Sequence, residues 1–218
     1  MNGELTLPQR NALAFVMADP FLKDFYLSGG TALAAYYLHH RTSDDLDFFT
    51  ANEINGMTID AAVQRLRDRV RAIDVTYQKM HDRRLYILRF DEPIPALKVE
   101  FTYYPFKQLE AVRIFDGART DSLRDCAANK LMALLDRFDP KDFVDLYALT
   151  RGRRLQDIRV DAQSKFGVKI NPLTLGSELM KVDRIVALPK MIKPLGVDEL
   201  KRHIHQLAKE LRGEIVEG

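Results

Sequence analysis

The sequence predicts an α/β (α+β) fold: an N-terminal domain on a small mixed sheet, followed by a helical C-terminal domain. Three observations carry this. Strand-length runs rich in Val, Ile, Tyr, Phe and Leu recur in the first half, and after about residue 116 they give way to helical spacing of apolar residues. The third observation is a glycine turn, Ser28-Gly29-Gly30-Thr31, set between an apolar run and a helical one. The expected division is residues 1–115 and 116–218, within what 218 residues can hold as one large or two small domains.

In chain order, residues 7–18 space Leu, Ala, Phe and Val as a helix closed by Asp19-Pro20. Phe25-Tyr26-Leu27 is a short apolar strand running into the glycine turn. Thr31 to His40, rich in Ala, Leu and Tyr, reads as a helix, and Asp45 to Thr50 as a second short strand. Residues 58–72 form an amphipathic helix with arginines on one face. Segments 73–80, 84–91 and 96–104 are strands, with Pro93 and Pro95 marking the turn between the last two. Asp121 or Ser122 caps a helix running through Leu135, and Pro140 opens another over 140–151. Further helices fit 154–166, 172–182 and 195–211.

Composition narrows the class. At 46% hydrophobic and 29% charged, the chain is neither disordered nor fibrous. It has no apolar run near the ~20 residues needed to span a bilayer, so no membrane partner is expected. Its first residues lack the apolar core of a signal peptide, which makes a cytoplasmic location the expectation. The single cysteine, Cys126, reads as a buried packing residue. Net charge is only +2, but residues 61–89 hold eight Lys or Arg and three Asp, a local 8 − 3 = +5. That stretch is either a solvated helix face or a phosphate-facing patch.

The chemistry lies in Arg41-Thr-Ser43-Asp-Asp45-Leu-Asp47-Phe-Phe49. On a strand, residues i and i+2 face the same way, so Asp45 and Asp47 project together while Leu46 and Phe48 anchor the opposite face. Adjacent like charges need compensation, and a hard divalent cation supplies it. Glu100, in Leu-Lys-Val-Glu-Phe-Thr, is a third candidate carboxylate on another strand. Three such groups suit a two-metal site for in-line phosphoryl transfer, with Glu100 as ligand or base. The glycines of the upstream turn let backbone approach a phosphate, and Ser28 or Thr31 can add a hydroxyl. The turn has neither P-loop nor dinucleotide-binding spacing.

Together, Ser28-Gly-Gly-Thr-Ala-Leu33 and Arg41-Thr-Ser-Asp-Asp-Leu-Asp47 resemble the AbiEii/AbiGii-type toxin family, part of the DNA polymerase β-like nucleotidyltransferase superfamily. A second match is Asp121-Ser-Leu-Arg-Asp-Cys-Ala-Ala-Asn129-Lys130 through Arg137, then Lys141-Asp142-Phe-Val-Asp145-Leu-Tyr147. It is similar to that family's downstream Lys, Arg, basic-Asp and Asp-Leu-Tyr pattern, with Lys141 where Arg is frequent. The two motifs span roughly residues 26–150. The resemblance implies a polymerase β-like domain that moves an NMP from an NTP to an acceptor hydroxyl with Mg²⁺ or Mn²⁺. Asp45, Asp47 and Glu100 are the expected metal ligands. Ser28, Gly29, Gly30, Thr31, Arg41 and Ser43 are the expected nucleotide-binding residues, with Lys130 reaching across the cleft and Asp145 joining them. It further implies a toxin with a cognate antitoxin and an RNA acceptor such as a tRNA 3′ end. Two rival functions are a catalytically idle nucleotide- or RNA-binding module and a transferase acting on a protein hydroxyl.

Three weaker features complete the reading. Ala96-Leu97-Lys98 superficially resembles the lysine strand of protein kinases but lacks the accompanying motifs. His203 and His205, at i and i+2 of a helix, do not share a face and do not suit a metal. Tyr103 or Tyr104 is placed to stack a base.

Overall fold

The computed structural model describes residues 5–216. Residues 1–4 and 217–218, the outer ends of the two expected domains, lie outside the described residues. The chain runs α1 (Leu7–Ala18), β1 (Tyr26–Ser28), α2 (Gly29–Ala32), β2 (Asp45–Thr50), α3 (Gly56–Val70), β3 (Asp74–Met80), β4 (Arg83–Arg89), β5 (Leu97–Tyr103), β6 (Arg113–Phe115) and β7 (Ala118–Thr120). It continues with α4 (Leu123–Asp136), α5 (Pro140–Thr150), α6 (Leu155–Phe166), α7 (Pro172–Met180) and α8 (Val197–Val216).

Among the described residues, seven strands form one mixed sheet in the order β3-β4-β5-β2-β1-β7-β6. β2 lies at its centre, antiparallel to β1 and parallel to β5. Its alternation is the expected one: Leu46 and Phe48 are fully buried, whereas Asp45 and Asp47 are only partly so. On the buried face Phe48 stacks on Phe101 and Phe25 meets Phe101 edge-on. α3 covers this face of the sheet, for Asp60 accepts hydrogen bonds from Arg84 and Tyr86, and Tyr86 packs edge-on to Phe101.

Local chemistry sets the element ends. Thr6 and Gln9 form a reciprocal capping box at α1. Of the two expected caps for α4, Ser122 is the one used: its hydroxyl accepts from the Asp125 N–H at 3.0 Å. Two features depart from the sequence reading. The expected helix Thr31–His40 begins earlier, at Gly29, and over Leu33–Leu38 it widens to a π-helix that ends at His39 in the left-handed region (φ 49°). The sheet also continues past residue 116. Asp116 (φ 48°) and Gly117 (φ 82°) make the two-residue turn of a β6–β7 hairpin, and β7 pairs in parallel with β1 at Leu27↔Thr120. The Asp-Gly pair is a strong hairpin signal, but its flanking strands are only three residues long, too short for alternation to show in the sequence.

One continuous apolar core runs through both halves, from Leu27 and Phe48 to Leu131, Leu146, Leu175 and Leu207. The last third of the chain folds back on the first. Residues 190–193 pair with His40–Thr42, through Thr42 N–H to the Lys190 carbonyl (2.9 Å) and Ile192 N–H to the His40 carbonyl (2.9 Å). α8 docks on α5 by Tyr147–Glu199 (2.5 Å) and Thr150–His203 (2.7 Å) hydrogen bonds. No helix among the described residues is long and apolar enough to cross a membrane.

Candidate active site

A cleft of about 510 Å³ opens between the polar face of β2–β5 and helices α4 to α6. Register places the carboxylates. β2 and β5 pair with Asp45 opposite Lys98 and Asp47 opposite Glu100, so Asp45, Asp47 and Glu100 share the face opposite Leu46 and Val99. The Asp47 carboxyl is pushed up to about 6, first by burial and then by the charges of Glu100 and Asp45. The pair expected from Asp-x-Asp spacing is therefore present, with Glu100 close enough to repel it. Glu100 is held by the Thr102 hydroxyl (3.0 Å) and lies 3.7 Å from the Arg83 guanidinium.

Lys98 stands between the acids, its Nζ 3.7 Å from Asp45 and 3.8 Å from Glu100. Among the described residues, no three His, Cys, Asp or Glu side chains close up into a ready-made metal cage. The donor set nevertheless suits a hard divalent ion, which commonly takes one or two carboxylates and fills its other positions with water and phosphate.

The glycine turn closes the cleft beside Asp47. Ser28 pairs with Asp47 across β1 and β2, and Gly29 follows at φ 67°. A Cβ at Gly29 would lie 2.3 Å from Asp47 Oδ2, and one at Gly30 would lie 2.6 Å from the Arg41 guanidinium. Glycine is thus required twice, for the left-handed backbone at 29 and for close approach at both positions. Arg41 and Ser43 line the cleft beside this turn.

Two predicted hydroxyls face elsewhere. Ser28, fully buried, donates to Asp121 Oδ2 (2.8 Å), and Thr31 donates to the Asp45 carbonyl. Asn129 donates to the same Asp121 oxygen (3.0 Å) and to Ser28 (3.3 Å), while accepting from the Tyr104 hydroxyl (3.2 Å). Ser28 and Thr31 therefore pin the strands and helix around the cleft; neither hydroxyl is presented to it.

Beneath the glycine turn lies a buried charge cluster. Arg41 grips Asp145 in bidentate fashion (2.7 and 2.8 Å), His40 Nε2 meets the same carboxylate at 2.7 Å, and Lys130 reaches it at 2.8 Å. Lys130 also donates to Asp142 (2.7 Å), which Arg137 approaches at 3.1 Å. Burial alone would raise the Asp145 carboxyl, but Lys130, His40 and Arg41 outweigh it and hold it well below the ordinary carboxylate range. Burial likewise works against the Lys130 ammonium, and Asp145 and Asp142 overcome it to raise its pKa. Asp145, fully buried, meets the cleft only through Arg41 and Lys130, which do line it.

Several residues at the site were not assigned from sequence. Lys98 ends the kinase-like tripeptide, and its i, i+2 relation to Glu100 on a strand is the signal that it faces the same way. Arg83, Arg137 and Asn129 line the cleft, and only the fold brings them there. Tyr104 lies at the cleft, as one of the two tyrosines was expected to. Cys126 is buried, which raises its thiol pKa.

The fold is that of a nucleotidyltransferase. A Helicobacter pylori structure described as a nucleotidyltransferase superposes with a TM-score of 0.65 at 18% identity, covering 96% of this chain and 94% of that one. JHP933 from Helicobacter pylori gives 0.62 at 21%, over 96% and 91%. MenT4, a nucleotidyltransferase toxin from Mycobacterium tuberculosis H37Rv, gives 0.54 at 16%, over 96% and 90%. At these identities the likeness is one of fold. The chain belongs to the AbiEii nucleotidyl transferase toxin family of type IV toxin–antitoxin systems, whose family model matches residues 13–172. An uncharacterized protein of Aquifex aeolicus (strain VF5) is 35% identical over 152 residues, 68% of each chain.

Proposed function

We propose that the protein is a metal-dependent toxin that transfers an NMP from an NTP to an RNA hydroxyl, with a tRNA 3′ end as the acceptor class. The observation that carries this is the in-register pairing of Asp47 with Glu100 beside Asp45, three carboxylates on one face with their charge only partly met. Divalent ions, Mg²⁺ or Mn²⁺, held by Asp45 and Asp47, with Glu100 as a further ligand or as the base, would activate the attacking hydroxyl and steady the leaving pyrophosphate.

The chain's own residues do the rest. The backbone of Gly29 and Gly30 approaches the β- and γ-phosphates, flanked by Arg41 and Ser43, with Lys130 contributing positive charge from below. Glu100 takes the proton of the acceptor hydroxyl. A bond forms from that oxygen to the α-phosphorus, the bond to the β-phosphate oxygen breaks, and pyrophosphate leaves with the electron pair. Arg83, exposed and beside Glu100, supports an RNA acceptor, and Arg69 on α3, Arg71 just after it and Lys79 on β3 add exposed positive charge around the edge of the sheet. Part of the 61–89 charge is spent locally, on Arg65–Asp19, Arg84–Asp60 and Arg89–Asp74 pairs. Family membership supports a cognate antitoxin as the protein partner and the cytoplasm as the place of action.

The test is label transfer. Protein is incubated with total tRNA, Mg²⁺ and each NTP carrying either α- or γ-³²P. Movement of the α-label to RNA, lost with EDTA and in Asp47→Asn, is the expected result. Movement of γ-label alone would mean a kinase, and α-label on protein would move the acceptor to another class. NTP binding without transfer would leave a binding module.

A further inference from the structure

The cleft has two chemically different ends. One, at the start of β2, is polar and basic and holds the glycine turn. The other is aromatic and is built from segments remote in sequence: Phe49 on β2, Tyr104 and Phe106 after β5, Met132 on α4 and Phe166 at the end of α6. The rings form a connected set. Phe49 lies 4.4 Å from Tyr104, Tyr104 lies 4.8 Å from Phe106, and Phe106 lies 4.8 Å from Phe166. Tyr104 is fixed from behind by its hydrogen bond to Asn129, and the Lys165 ammonium sits 5.7 Å from its ring centre. Phe106, which lines the cleft, remains 38% exposed.

We propose that this aromatic end is the subsite for the nucleobase of the NTP, with Phe106 as its stacking face and Phe49 and Met132 as its walls. The inference rests on the nucleotidyltransferase reading of the same cleft. Spacing supports it. Phe49 shares a face with Asp47 and lies two residues on, about 6.7 Å along the strand, the span of a ribose between an α-phosphate and its base. With the β- and γ-phosphates at the glycine turn and the α-phosphate at Asp45 and Asp47, the base arrives at Phe49 and Phe106. Covering a half-exposed phenyl ring with a planar base removes apolar surface from water and adds stacking, without demanding any one base.

The test uses the full chain with Mg²⁺ and no RNA, titrated calorimetrically with each of the four NTPs and with inorganic tripolyphosphate. Phe106→Ala is the main variant, because the side chain is exposed on a loop, and Phe106→Tyr is its conservative partner. The expected result is about 5- to 100-fold weaker NTP binding in Phe106→Ala, with recovery in Phe106→Tyr and unchanged binding of tripolyphosphate. Equal weakening of NTP and tripolyphosphate, or no weakening of NTP, overturns the proposal. Unchanged NTP binding together with a raised KM for RNA also overturns it and gives the aromatic end to the acceptor's terminal base. If wild type binds NTPs no better than tripolyphosphate, the base subsite fails while the triphosphate site stands. If wild type binds neither, the nucleotide reading fails with it.

Discussion

A single methyl group at position 29 tests the tightest contact at the active site. Gly29→Ala would impose a side chain on a φ of 67° and push its Cβ to 2.3 Å from Asp47 Oδ2. Left-handed backbone at a non-glycine residue costs of order 1–3 kcal/mol. The expected outcome is a lower unfolding midpoint together with loss of nucleotidyl transfer, read by urea denaturation and label transfer on the same preparation. Gly152, where a Cβ would meet nothing, is the control: Gly152→Ala leaves transfer unchanged. Asp121 offers a pH experiment. Burial raises its carboxyl, Lys165 opposes, and Asp125 adds to the rise, leaving it at about 6 against an ordinary 3.8. The folded protein therefore holds this proton more tightly than the unfolded chain. The stability it contributes is present below about pH 4 and is lost as pH rises through 6. Urea midpoints measured from pH 4 to 8 should show that decline flattened in Asp121→Asn; an identical slope would remove Asp121 as its source.

At the scale of elements, the α4–α5 corner joins the cleft to the helical half. Asp145 on α5 is the shared anion for Arg41, His40 and Lys130, all buried. Asp145→Asn leaves two buried cations without it, and a broken buried pair costs about 3–5 kcal/mol. Equilibrium denaturation should show that loss, and NTP affinity should fall with it because Arg41 and Lys130 lose their positions. Asp145 is held far below the usual carboxylate range, so its contribution is fully present above about pH 4 and is lost only as the solution becomes strongly acidic. The sequence made α4 and α5 legible, with their caps and the motif residues Lys130, Asp142 and Asp145. What the motif left open was direction. Spacing places Asp145 one turn from Asp142 on a helix, but only packing shows it turned inward beneath the glycine turn. The same holds for Ser28 and Thr31. Their position beside the glycines was legible, but the choice of Asp121 and of the Asp45 carbonyl as partners depends on chain segments that meet only in the fold.

At the scale of the molecule, charge is asymmetric. Exposed cations gather around the β3–β4 edge: Arg83, opposite Thr102, shares the face of Glu100, whereas Lys79, opposite Arg84, belongs to the face that α3 covers. RNA affinity should fall steeply with salt. A triple Arg69, Arg71 and Lys79 to Ala variant should reduce the log–log salt slope by about 2–3, and NTP affinity measured without RNA should stay unchanged. Long-period patterns were the readable part of the fold: the strands of the first half, the five later helices and the alternation in β2. Short elements were not. β6 and β7 are three residues each, too brief for period-two alternation to register, and residues 190–193, which clamp the segment carrying Arg41, have no pattern of their own.

The parallel pairing of β2 and β5 bears on which length changes the gene can tolerate. Val99 and Phe101 fix the register against Leu46 and Phe48, and Glu100 reaches Asp47 only in that phase. A one-residue deletion in the exposed loop before Leu97 that drew β5 back by one position would bring the apolar Phe101 opposite Asp47 in place of Glu100. A two-residue deletion would restore the alternation. Frame-preserving variants of odd and even length in this loop should therefore separate by activity, with parity counting for more than the amount of chain removed.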